Sequence, residues 1–405
     1  MTFLYDIVNL EFIVIVSFVA VSAYLRLEPL KVALLFLHII VIFLLNDVMF
    51  TPSYFGDQWG YLNATRIIRN SFNTLSFQEI SGFNMEIHDI KITGFNNELG
   101  LSGLIFALLP IPFINSFQSL CMINYIFFLL LFVFIKKKLR SDNSVDYFFL
   151  LFPSLLLYSS LALRETLILV IMFFSVYFVV IKEQKVLGLI IGFPLLILKF
   201  QNYFMILLSV MFYIILKRRN KVINIAFVLA ILMGMFYPEK VPIIGPYYSK
   251  IETIRLALLA ENMIKVTGKF YDWEAAKSMI EPLGSGISLV YLVAKNFLYM
   301  LLKPFPWECR NVFQIVQSVE NIGIVILIIM FNSKKIMSHR VKQKILFLNL
   351  MLFVSISVYG LVVFNFGTAV RYKFPFIMIY ILFYLLLLSY DKLIKNKNLY
   401  SLSLP

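Results

Sequence analysis

Leu163-Arg164-Glu165 sets an arginine beside a glutamate between two apolar runs, 145–163 and 166–181, with almost no loop to separate them. A guanidinium pinned there offers a planar fork of donors, the geometry that grips a phosphate. A carboxylate in a low-dielectric site gains proton affinity and suits a general base. The plain alternative is a snorkelling ion pair at a tight turn. Four other segments carry polar groups that an apolar chain does not need. Lys199-Phe200-Gln201-Asn202 interrupts a second apolar stretch with a lysine and two amides. Lys303 to Asn311 combines Pro304 and Pro306 with Trp307, Glu308, Arg310 and Asn311, more charge than an aromatic anchor requires. Asn365 to Pro375 places Arg371, Tyr372 and Lys373 just after Gly367, which permits a sharp turn. Gly56-Asp57-Gln58-Trp59-Gly60-Tyr61 flanks Asp57 with aromatics, a set that suits a sugar, although ordinary loops read the same way.

The elements that must position these residues follow from composition. The chain has 405 residues, 61% hydrophobic and 14% charged, with a mean hydropathy of +0.87. Soluble domains carry about 45–50% apolar and about 25% charged residues. A soluble enzyme, a coiled coil and a disordered chain are excluded. Continuous apolar runs, rather than alternation, exclude a transmembrane β-barrel. The expected fold is therefore all-α: one polytopic membrane domain over 1–405. Apolar runs at 7–25, 30–50, 117–135, 145–163, 166–181, 186–198, 201–216, 222–237, 312–331, 345–364 and 375–390 predict about eleven spans. The pair 186–198 and 201–216 reads as two short helices meeting at the polar apex around Lys199.

Lysines and arginines set the sides. The net charge is +14. Its clusters, among them Arg26/Lys31, Lys136 to Arg140, Lys182/Lys185, Lys217 to Lys221, Lys334 to Lys344 and Lys392 to Lys397, fall on alternate turns. All face the cytoplasm if the N-terminus is outside and the C-terminus inside, so the charge follows the positive-inside rule rather than nucleic-acid binding. The outer side then holds two long segments, 51–116 and 238–311. Residues 99–115, with Pro110 and Pro112, and 285–303, with Lys295 and Lys303, are expected as interfacial or re-entrant helices, and 249–266 as a lid. Residues 7–25 read as a retained first helix, and Glu320 as a polar group facing the bundle interior. The three histidines are scattered and no CxxC motif occurs, so no metal or other cofactor is expected.

Three of these segments together resemble the Wzy-type polymerases of bacterial polysaccharide repeat units, in the broad GT-C-like group of membrane glycosyltransferases. The resemblance rests on Pro153-Ser154 leading to Leu163-Arg164-Glu165, on Pro304-Phe305-Pro306-Trp307-Glu308 followed by Asn311, and on Gly367-Thr368-Ala369-Val370-Arg371-Tyr372-Lys373-Phe374-Pro375. Lys373 and Lys199 stand where arginine is the commoner residue, which keeps the charge and loses the fork. The resemblance implies a multi-pass protein of the bacterial inner membrane, acting in O-antigen, lipopolysaccharide or other cell-envelope polysaccharide synthesis. Its substrate would be an undecaprenyl-diphosphate-linked oligosaccharide, and the growing glycan would pass to the incoming unit on the outer face. Arg164 and Arg371, with Glu165 and Glu308, would be catalytic. Asp57, Lys199, Gln201, Trp307, Arg310, Asn311, Tyr372 and Lys373 would bind substrate. Membrane lipids and a chain-length regulator are the implied partners.

Three other functions fit parts of the pattern. A GT-C transferase moving one sugar from a polyprenyl phosphate shares the fold, but usually wants acidic pairs and often a divalent metal. An O-antigen ligase shares the polymerase's chemistry. A lipid-linked oligosaccharide flippase or other transporter would need charges along a central cavity and repeated halves.

Overall fold

The computed structural model describes residues 2–49, 56–74, 84–87, 90–93, 98–108, 117–139, 141–217, 225, 236, 253, 255, 284–333, 338–363 and 366–402. The expected span 222–237, the lid 249–266 and the prolines of 99–115 lie outside them or nearly so. The described chain is helical, apart from one two-stranded antiparallel hairpin, β1 (Asn84–Ile87) and β2 (Ile90–Thr93). It divides into two compact units, Met1–Tyr203 with Leu385–Pro405, and Phe204–Tyr384.

Among the described residues six helices are long and apolar enough to cross a bilayer: Pro29–Asn46, Phe117–Lys138, Leu195–Lys217, Val312–Ser333, Val341–Val362 and Gly367–Ser389. At about 1.5 Å per residue such helices match a hydrocarbon core about 30 Å thick. Three shorter apolar helices, Ile13–Leu25, Glu165–Val180 and Ile287–Leu302, accompany them. Apolar side chains lie outside as well as inside: Val312, Ile315, Val319, Ile326 and Ile329 are all exposed along one helix. That is the surface of a protein solvated by lipid. The chain is a polytopic membrane protein.

In the first unit α1 (Thr2–Leu25) and α2 (Pro29–Phe43) are followed by a π-turn at Leu44–Met49, then α3 (Gly56–Thr74), the hairpin and α4 (Glu98–Leu108). The hairpin, α3 and α4 give local structure to part of the expected first outer loop. Next come α5 (Phe117–Lys138), α6 (Asn143–Leu151), α7 (Pro153–Ser159), α8 (Glu165–Val180), α9 (Lys185–Gly192) and the start of α10 (Leu195–Lys217), whose residues from Phe204 on belong to the second unit. The run 145–163 is not one continuous helix. Pro153 starts α7 at its first position, where a missing N–H costs nothing, and Phe152 is extended between α6 and α7. Asp142 caps α6 by accepting from Val145 N at 3.0 Å. α8 and α9 meet closely at Gly188, where any Cβ would lie 2.5 Å from Val179 Cγ2. α10 is interrupted at Lys199, whose backbone is extended (φ −165°, ψ 81°), so the polar break expected there is present.

The second unit contains α11 (Ile287–Leu302), a 3-10 turn at Pro306–Glu308, α12 (Val312–Ser333), α13 (His339–Val362) and the start of α14 (Phe366–Leu402). α11 packs so closely on α13 that a Cβ at Gly360 would lie 2.6 Å from Asn296 O. Residues 366–374 are not a link that turns at Gly367; they are the first turns of α14, which carries Pro375 inside it. Nearly all the side chains from Phe374 to Tyr384 are buried, so packing carries the helix through its proline.

Candidate functional site

Arg164 is the last residue of a buried non-helical segment, 160–164, between α7 and α8. Backbone polar groups without partners are costly in apolar surroundings, so where each one goes decides whether such a break can exist. Side chains from three other elements satisfy it. Asn46 Nδ2 donates to Ser160 O at 3.0 Å. Asn124 Nδ2, on α5, donates to Leu161 O at 2.6 Å and to Leu163 O at 2.7 Å. Gln58 Oε1, on α3, accepts from Ala162 N at 2.6 Å. At the edges Thr166 Oγ1 donates to Tyr158 O at 2.9 Å, and Ile168 N to Arg164 O at 2.9 Å. The result fixes two charged groups in an apolar unit: Arg164 is 8% exposed and Glu165 is 1% exposed. Glu165 opens α8, where the helix dipole favours a negative charge.

His38 braces the same region from α2. Its Nε2 donates to Leu150 O at 3.3 Å, a carbonyl in the last turn of α6, and its Nδ1 is 3.2 Å from Ser159 Oγ. Its ring stacks on Phe128 at 4.2 Å. Gln58 follows Asp57, so the first turn of α3 docks onto the break that carries Arg164. The Asp57 side chain lies outside the described residues. Lys199 is buried, and Gln201 Oε1 is a buried acceptor with no hydrogen bond among the described residues. Asn202 holds α10 to α8 through Met172 Sδ at 3.1 Å. Half-buried Arg69 lies farther along α3; burial pulls its guanidinium below its ordinary value, and it stays a cation because that value is so high.

In the second unit the expected ligands divide by what they already hold. Lys373, 1% exposed, donates to Met300 O at 3.0 Å, Leu301 O at 3.3 Å and Asn321 Oδ1 at 2.8 Å. An ammonium has three donors, and these three acceptors use them. Lys373 therefore caps the C-terminus of α11, where the helix dipole favours a cation. Asn321 completes the joint: it donates to Leu302 O and Lys303 O, and accepts from Gln317 Nε2 at 2.9 Å. Arg371, half-buried, is two residues from Lys373 on α14. Two residues are about 200° on a helix, so the pair cannot close on one phosphate as a flexible link would allow. Tyr372 packs against Tyr359 with ring centroids 4.8 Å apart.

The segment that this joint supports is built by its own polar groups. Glu308 Oε2 accepts from Phe305 N at 3.1 Å, and Oε1 pairs with Lys303 Nζ at 3.3 Å. Asn311 caps α12, its Oδ1 accepting from Gln314 N at 2.9 Å. The exposed Arg310 gives its backbone N–H to Gln314 Oε1 at 2.6 Å. Trp307 is 79% exposed and lies flat on Phe305, 4.9 Å between centroids and 7° between planes. Lys303 sits over the Tyr299 ring at 4.5 Å, which completes an aromatic and cationic surface.

Four polar residues have structural roles that sequence spacing does not reveal: three in the first unit and one in the second. Asn124, Asn46 and Gln58 hold the backbone at 160–163, which nothing in their spacing reveals; Gln58 stands in the sequence only as part of the set around Asp57. In the second unit Arg255 is 2% exposed and its Nε donates to Leu361 O at 2.8 Å. Lys31 and Lys136 entered the reading only as markers of the cytoplasmic side. They converge on buried Asp146, at 3.0 Å and 2.5 Å, with Ser141 Oγ also donating to that carboxylate.

Compared with family models, curated proteins and solved structures, the chain has no match.

Proposed function

We propose that the protein is a membrane glycosyltransferase that polymerises undecaprenyl-diphosphate-linked oligosaccharide repeat units on the outer face of the bacterial inner membrane. In this reading about eleven spans cross the bilayer, the N-terminus is outside, and the segments 51–116 and 238–311 face the periplasm. The observation that supports it most is the buried Arg164–Glu165 pair, held at a helix break by three amide side chains. A phosphate-gripping cation beside a buried carboxylate is what glycan transfer from a lipid diphosphate needs. Arg164 would hold the diphosphate and take up the charge that develops as it leaves, and Arg371 would be a diphosphate-binding cation in the role that the family resemblance gives it. Glu165 would accept the proton of the attacking sugar hydroxyl. Arg310 and Trp307 would contact the substrate. Glu308, Asn311 and Lys373 would hold the segment that carries Arg310 and Trp307 in shape. A chain-length regulator fits as a partner, and no cofactor takes part in these steps.

The experiment is deletion of the gene followed by gel analysis of surface polysaccharide. A ladder that collapses to one repeat unit on its acceptor is the expected result. Loss of the single unit as well would indicate an upstream transferase, a flippase or the ligase. An unchanged ladder would overturn the polysaccharide reading.

A further inference from the structure

We propose that Asn124, assisted by Gln58, is a positioning residue that sets Arg164 and Glu165 for catalysis; this rests on the polymerase reading above. Asn124 is fully buried on α5, and its amide nitrogen spans the break, bonding carbonyls on both sides of Ala162. Ala162 itself is held by Gln58 through its N–H. The three consecutive residues Leu161, Ala162 and Leu163 thus take their tertiary hydrogen bonds from two side chains of other helices. In an unbroken helix these groups would bond along the chain, and the Arg164 side chain would be carried to another direction, since each residue turns the helix by about 100°. Asn124 keeps the segment non-helical and so chooses where the guanidinium points. No aliphatic residue of similar size can do this, because it leaves two buried carbonyls without donors. Gln58 comes from α3 and ties the same break to the turn that contains Asp57. The fit of Arg164 to the leaving diphosphate and the seating of the first outer segment are in this way coupled through one short piece of backbone.

The test uses full-length protein reconstituted in liposomes, supplied with the lipid-diphosphate-linked repeat units of the same strain. Asn124→Leu is expected to lower kcat on the order of tenfold or more while KM stays within about twofold, as for a group that acts at the transition state. Gln58→Met is expected to do the same more mildly. Gln58→Glu, which retains an acceptor for Ala162 N, is expected to recover part of the loss. Hydrogen exchange of the peptide covering 158–165 is expected to quicken on the order of tenfold in Asn124→Leu, with α13 unchanged. Wild-type exchange in that peptide, or faster exchange with unaltered kcat, overturns the proposal. Should Asn124→Leu not fold, the Gln58 pair decides: equal kcat in Met and Glu variants overturns it. Should the wild-type protein form no polymer, the polymerase reading fails, and exchange alone decides whether Asn124 holds the break.

Discussion

Lys373 and Asn321 meet inside the second unit with Nζ 2.8 Å from Oδ1, and between them they satisfy the backbone carbonyls from Met300 to Lys303. A residue that reads in sequence as a phosphate ligand is committed to a helix terminus. This explains why lysine suits the position: three acceptors converge on one point, which fits a compact ammonium and not a planar fork.

Lys373→Arg separates the two roles. A phosphate ligand would tolerate arginine. At this buried joint the larger guanidinium is expected to destabilise the protein by about 2 kcal/mol, through overpacking and lost charged hydrogen bonds. Thermal unfolding of the detergent-solubilised protein measures it, and unchanged stability with a normal polysaccharide ladder would return Lys373 to the list of ligands.

Asp146→Asn is expected to leave the Lys31 and Lys136 charges without their buried counter-ion. Removing one partner from such a cluster costs about 3–5 kcal/mol. Membrane abundance and unfolding temperature should both fall. Adding Lys31→Met to the variant should restore part of the loss, and a double variant less stable than the single one would count against the triad.

Arg164→Lys retains the charge and gives up the fork. Polymerisation is expected to drop about 10²-fold in kcat with normal protein levels, and Arg164→Ala should lie lower still. Glu165→Gln should abolish the ladder without reducing abundance. A Glu165→Gln strain with a full ladder would show that another carboxylate takes the proton.

Trp307 is exposed and stacks on Phe305. Trp307→Ala should leave unfolding within about 0.5 kcal/mol of wild type. The loss of a flat stacking surface, worth about 1 kcal/mol, should raise KM for the repeat unit several-fold. A KM equal to wild type would remove Trp307 from the substrate surface.

Much of the helical architecture is legible in the sequence. Long apolar runs need no partner to declare themselves, because in lipid a helix must satisfy its own backbone. Phe117–Lys138 and Val312–Ser333 lie where hydropathy puts them, and the interruption at Lys199 is where a polar group breaks the run. Boundaries set by tertiary packing were not legible. Gly367 and the charges after it read as a turn, yet burial of the side chains beyond Phe374 carries α14 straight through Pro375. The run 145–163 reads as one span, and the extended Phe152 before Pro153 divides it.

The candidate site divides in the same way. Residue type and local spacing were enough to mark Arg164, Glu165, Glu308 and Arg310 as groups an apolar chain would not carry without a use. What each of them does depends on partners far away in sequence. Asn124 reaches Leu163 O from 39 residues away, and Lys373 reaches Met300 O from 73 away. Composition and periodicity report the solvent around a helix, and so they determined a polytopic membrane protein with its polar groups gathered in a few segments. Hydrogen bonds saturate and are directional, so only the tertiary structure decided that Asn124 and Gln58 hold the backbone at 161–163 that leads into Arg164, and that the donors of Lys373 go to Met300 O, Leu301 O and Asn321 Oδ1.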